Sequence, residues 1–167
     1  MTDYKELEEY FEALATVNVY IKNTAKRKTF YRIDVEEYLT NIDSVNYPFF
    51  SLERAEFGLS SPNPDNISKN RTVAFMIVDK FANDDFDQQN IIYDATEKVG
   101  EQYINRILND VETLALPKLL RNLDINSIAL QHLPANTVEK YCGVRVTMGI
   151  QSRYEKEVNA ADWTDLT

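Results

Sequence analysis

The chain reads as an α+β protein: a mostly antiparallel sheet of four strands, or slightly more, packed by one long helix and one or two shorter ones. The expected order is α-β-β-α-β-β. Three observations predict it. A helical run from about 88 to 116 carries Ile92, Ala95, Val99, Tyr103, Ile107, Val111 and Leu114 at i, i+3/i+4 spacing. Residues 71–80 are almost continuously apolar, as in a strand covered on both faces. Residues 142–151 alternate strictly, with Cys142, Val144, Val146, Met148 and Ile150 on one side and Gly143, Arg145, Thr147, Gly149 and Gln151 on the other. The 167 residues form a single domain with room for a sizeable core, and no linker or repeat interrupts them.

The elements follow in order. Residues 3–17 place Leu7, Phe11 and Leu14 on one helix face and Glu6, Glu8, Glu9 and Glu12 around the rest, with Asp3 able to cap the start. Residues 18–33 stay open between a short hairpin and an extended segment crossing the body, around the basic turn of Lys22, Lys26, Arg27 and Lys28. Asp34, Val35, Glu36 and Glu37 resemble a capping box, which predicts a short helix to about Ile42, ended by Asn46, Tyr47 and Pro48. Residues 48–59 read as a strand, and 60–70, with two Pro, three Asn and three Ser, as a polar arm too long for a tight hairpin turn. Two sequons there, at Asn66 and Asn70, mark the same loop-compatible stretch. After the strand 71–80 and an acidic loop, the long helix runs to about Leu116, with Pro117 ending or kinking it. Gly100 beside its stripe predicts close packing on the sheet. Ile128 and Leu130 begin a second strand pair that turns at Leu133, Pro134, Ala135 and Asn136. A polar tail occupies about 155–167.

Composition narrows the function. A net charge of −9 argues against a phosphate-binding surface, whose affinity comes from Lys and Arg. The basic turn at 22–28 reads as a solvated loop. The charged N-terminus predicts no signal peptide, and no apolar run reaches the ~18 residues needed to span a bilayer; synthesis in the cytoplasm is the expectation. Cys142 has no second cysteine to pair with and falls on an apolar strand face.

Few residues suggest chemistry. Asp79, Asp84, Asp85 and Asp87 are the densest carboxylate cluster, but the Gly that turns a calcium loop and the Glu that closes it are missing. The cluster reads first as helix N-terminal charge; a metal-dependent hydrolase is the minor alternative. His132, the single histidine, would have to serve any Cys142 nucleophile, and no nucleophile-elbow glycines surround that cysteine. Four glycines with no Gly-rich phosphate loop weigh against nucleotide binding. The arm at 60–70 and the aromatic content point instead to binding or assembly.

Four stretches carry a family likeness: KTFYRID at 28–34, YPFFSLE at 47–53, VAFMIV at 73–78 with the helix at 91–116, and GVRVTMG at 143–149. In these stretches and their order the chain resembles the tail-completion and tail-terminator class of bacteriophage neck proteins. The resemblance implies a non-enzymatic virion assembly protein, made in the host cytoplasm, without cofactor or small-molecule substrate. It would form a homo-oligomeric ring that ends the tail tube and joins it to the head-side connector. Its partners would be itself, tail-tube and connector proteins, with DNA passing nearby unbound and no membrane involved. The alternative is a host-side adaptor module binding a protein partner through the same arm. The loop and exposure arguments nominate Leu59, Pro62, Pro64, Ile67, Arg71, Arg145, Arg153 and Trp163 as interface residues.

Overall fold

The structure, a computed structural model, describes residues 3–32, 45–63, 65–82, 86–136 and 140–156. The expected helix at 34–42 and most of the tail at 155–167 lie outside the described residues. The elements are α1 (Asp3–Val17), β1 (Phe30–Tyr31), β2 (Phe49–Leu52), β3 (Glu56–Ser60), β4 (Ser68–Lys80), α2 (Phe86–Glu112), a 3₁₀ turn (Lys118–Asn122), β5 (Leu123–Asn136) and β6 (Tyr141–Arg153).

The α+β class holds, but the sheet has six strands rather than four and is mixed. Its order is β1-β2-β4-β6-β5, with β3 beside β4, and β1–β2 is the parallel pair. The extra strands have local causes. Residues 18–31 resolve into a tight turn bridged between Thr24 and Arg27, followed by the two-residue β1. Buried Asn23 holds the turn: its Oδ1 accepts from the Thr29 and Phe30 amides and its Nδ2 donates to Thr16. Arg27 donates to the Ile21 and Tyr47 carbonyls, so one cation of the basic turn is internal structure.

The expected strand 48–59 is broken in two. Leu52 pairs with Phe75, but Glu56 pairs with Thr72, so three residues on this side span two on β4. This is a β-bulge of one extra residue at 53–55. Past it, β3 continues along the same edge of β4. β5 also starts earlier than Ile128 and runs through Pro134, with a second irregularity between Asp124 and Ala129. There the Asp124 carboxylate accepts from the Asn126 amide, and Ser127 Oγ accepts from the Gly149 amide. Alternation alone does not reveal such insertions, because each one shifts which side chains share a face.

Both helices lie on one face of the sheet. Leu7, Phe11 and Leu14 of α1 and Val99, Tyr103 and Ile107 of α2 meet Phe50, Leu52, Val73, Phe75, Ile77, Val144, Val146, Met148 and Ile150. At the centre the Phe50 ring stacks on Phe75 at 4.8 Å, Tyr103 at 4.9 Å and Phe11 at 5.7 Å. The opposite face carries a smaller cluster of Phe49, Met76, Val78 and Tyr141, so β4 is buried on both sides over Val73 to Val78. Buried Asp110 ties the helices together, accepting from the Tyr10 hydroxyl at 2.9 Å and from Arg106 Nε at 3.0 Å.

Helix α2 stops at Glu112, before Pro117 is reached. Leu114 adopts φ 56°, its amide bonds to the Val111 carbonyl, and the Ala115 amide bonds to the Asp110 carbonyl. That is a Schellman ending with leucine where glycine is usual, at a conformational cost of about 1 kcal/mol. Gly100 packs as expected, since a Cβ there would lie 2.8 Å from Leu130 Cδ1.

Gly143 is under a harder constraint. A Cβ at this position would strike the Ile77 carbonyl oxygen and lie 2.9 Å from Val78 Cα, both backbone atoms of the neighbouring strand. Gly58 on β3 has open space around it. Gly143→Ala should therefore cost about 3 kcal/mol by overpacking, whereas Gly58→Ala should change stability by less than about 0.5 kcal/mol; paired denaturant melts read the contrast. The Tyr103 hydroxyl is buried without a hydrogen-bond partner among the described residues, and burial raises its pKa from the ordinary 10.0. Tyr103→Phe should stabilise the fold by about 1 kcal/mol at neutral pH, because an unsatisfied buried hydroxyl carries a desolvation cost. The raised pKa leaves stability intact below about pH 10 and erodes it above, as the unfolded chain ionises first. Thermal melts from pH 8 to 11 should fall less steeply for the Phe variant than for wild type.

Candidate interaction surface

The helices stop short of one end of the sheet, and β3, the start of β4 and the end of β6 project there. Glu56 to Ser60 pair with Thr72 to Ser68, and Ser68 to Thr72 pair in turn with Arg153 to Gly149. The expected arm is therefore shorter than 60–70: its loop is 61–67, Ser60 belongs to β3, and Ser68, Lys69 and Asn70 belong to β4. Asn70 Nδ2 donates to Ser60 Oγ at 2.7 Å across the hairpin. The Asn66 amide bonds to the Asn63 carbonyl inside the loop, and the Tyr154 amide bonds to the Ile67 carbonyl at its base.

Strand alternation decides what this projection displays. Val73, Phe75 and Ile77 face the helices, so Lys69 and Arg71 on the same strand point to that side. Phe57 is opposite Arg71 and Leu59 opposite Lys69. The core face of the sheet thus continues beyond the helices as a strip of Phe57, Leu59, Lys69 and Arg71. Phe57 is 62% exposed and Leu59 51%. Lys69 Nζ sits 4.2 Å from the Phe57 ring centroid, a cation–π contact that holds the ring in place. On its outer side β3 has no strand partner among the described residues.

The nominated residues divide. Leu59 and Arg71 come together on the strip, exposed Pro62 is in the loop, and half-buried Ile67 is at the loop base. Arg153 is exposed on the reverse face, opposite Ser68. Pro64 and Trp163 lie outside the described residues. Arg145 is also on the reverse face, where its Nε and Nη2 reach the two Glu53 carboxylate oxygens at 2.7 and 2.6 Å. Glu53 is the buried first residue of the bulge, so Arg145 anchors the kink that starts β3. Phe57 and Lys69 were not nominated. Phe57 shares its strand face with the nominated Leu59, two residues on, and Lys69 fell inside the expected arm, where its pairing with Leu59 is a matter of register.

The chemical candidates are occupied elsewhere. The Asp79 carboxylate accepts from the Tyr20 hydroxyl at 2.8 Å and from the Lys80 amide. Asp87 lies in the first turn of α2, and Asp84 and Asp85 lie outside the described residues. Among the described residues no three His, Cys, Asp or Glu side chains group to hold a metal, and no helix is long and apolar enough to cross a membrane. Cys142 is buried beside Phe81 and Ile92, and burial pushes its thiol up to about 11. His132 Nε2 lies 2.7 Å from Glu97 Oε2, with its ring against Tyr93. Compared with protein-family models and with curated proteins, the chain matches none.

Arg145→Met should cost about 2 kcal/mol. It strands the Glu53 carboxylate in a buried site, with part of the penalty relieved because a third of the arginine side chain is exposed. The double variant Glu53→Leu with Arg145→Met should recover most of that loss. A double-mutant cycle in urea that shows no coupling between the two positions rejects the anchoring role.

Proposed function

We propose that this chain is a non-enzymatic assembly subunit: a neck or tail-terminator protein that closes into a homo-oligomeric ring at the end of a phage tail tube and presents that ring to the head-side connector. The observation that carries the reading is the projecting end of the sheet. A monomer gains nothing from ordering two large apolar side chains on a strand outside its own core, whereas a subunit that must bind its neighbour does. The rigid β4–β6 pair beneath the hairpin supports this, because a preorganised arm spends little entropy on docking.

Charge supports the same reading. Helix α1 carries five carboxylates against one lysine and α2 six against two cations, which accounts for eight of the nine net negative charges. A ring whose exposed helices repel phosphate would let DNA pass without sticking. The host-side adaptor would use the same strip on a different protein. It is the second reading, favoured if the isolated chain does not self-associate.

Native mass spectrometry across a concentration series, with negative-stain imaging of the same sample, tests the proposal. Closed rings of one fixed copy number are expected. Replacing the loop 61–67 by Asn-Gly should leave the melting temperature within a few degrees, since none of its described residues belongs to the core, and should weaken ring formation. A chain that remains monomeric at every concentration removes the ring reading and leaves the adaptor.

A further inference from the structure

On the strip, two exposed apolar side chains, Phe57 and Leu59, sit opposite two cations. Lys69 rests on the Phe57 ring. Arg71 makes no ion pair among the described residues. It lines a hollow of about 270 Å³ with Thr72, Asp124 and Gln151. The carboxylate in that hollow, Asp124, accepts from the Asn126 amide in its own turn. A segment that fits the strip therefore brings apolar side chains together with carboxylates.

The chain itself continues into such a segment. Residues 157–167 hold three carboxylates, Glu157, Asp162 and Asp165, and no lysine or arginine. Between them stand Val158, Trp163 and Leu166. The described residues deliver this segment to the strip. β6 ends at Arg153 opposite Ser68, the Tyr154 amide bonds to the Ile67 carbonyl, and Lys156 Nζ lies 3.9 Å from Asp65 in the hairpin loop. From Ser68, Arg71 is about 10 Å along β4, and β3 is about 5 Å across. The seven residues from Lys156 to Trp163 span up to about 25 Å when extended.

We propose that residues 157–167 fold back on their own chain and cover the strip, Trp163 against Phe57 and Leu59, with Asp162 and Asp165 toward Lys69 and Arg71. A tethered segment acts at an effective concentration of about a millimolar, so it outcompetes the same segment of a free second copy. In the free subunit the tail then shields the apolar pair, and a neighbouring copy must displace it to dock. The docking stands on the strip and the tail alone; the guarding role rests on the self-assembly reading above.

Trp163 is the chain's single tryptophan, so its fluorescence reports the tail without a label. At concentrations too low for self-association, its emission should lie to the blue of the same protein in denaturant and resist acrylamide quenching. Phe57→Thr with Leu59→Thr removes the apolar pair and keeps strand propensity. Lys69→Gln with Arg71→Gln removes the charge. Thermal melts confirm that both variants fold. Each should shift Trp163 emission to the red and expose it to quencher, and added salt should do the same to wild type. Ending the chain after Lys156 should lower the apparent Kd of self-association, about tenfold where the tail leaves the strip free in one molecule in ten. Trp163 emission unchanged by both strip variants overturns the docking while the ring reading stands. A blue shift that develops only as concentration rises assigns the tail to a neighbouring copy and also overturns it. A truncated chain that assembles no more tightly than the full chain overturns the guarding role. A chain that is monomeric with or without its tail, yet shows the Trp163 response, keeps the docking and removes the ring.

Discussion

The stacking of Phe50 against Phe11, Phe75 and Tyr103 is the contact on which the architecture depends. One ring from the short β2 meets α1, the central strand and α2, so the helices are positioned against the sheet and against each other by the same side chain. Offset aromatic contacts of this kind add to the free energy of simple burial and have preferred geometry. Gly143 sets the complementary constraint on the backbone, letting β6 approach β4 where any side chain would collide.

From that centre the asymmetry of the molecule follows. The helices cover the sheet only as far as their apolar stripes extend. β4 and β6 are thirteen residues each, longer than the core they cross, and the surplus becomes the projecting end. The bulge at 53–55 lets the chain stay beside β4 along that surplus, and the Glu53–Arg145 pair locks the bulge from the reverse face. A buried ion pair adds little net stability compared with apolar packing; here it fixes where β3 begins and so which side chains reach the strip.

Display and storage of charge are also separated. The two helices carry eight of the nine net negative charges, and the strand end carries a small cationic excess. The strained Leu114 at the end of α2, 71% exposed where glycine would sit without strain, is a further apolar side chain that the monomer's own stability does not explain.

Periodicity in the sequence determined α1, the stripe of α2, the buried course of β4 and the alternation of β6, because each is a local pattern repeated long enough to exceed its exceptions. It also located the polar arm at 60–70 and nominated Leu59 and Arg71 at its two ends. What it did not contain was register. The division of 48–59 into β2 and β3, the early start of β5, the parallel β1 and the withdrawal of Arg145 into a pair with Glu53 all depend on which residue lies opposite which, a relation between segments far apart in the chain. The exposure of Phe57 depends on packing in the same way. Its period was right, and only the tertiary structure decided that the helices end before they reach it, since the extent of a covering layer is a property of packing and not of any one strand.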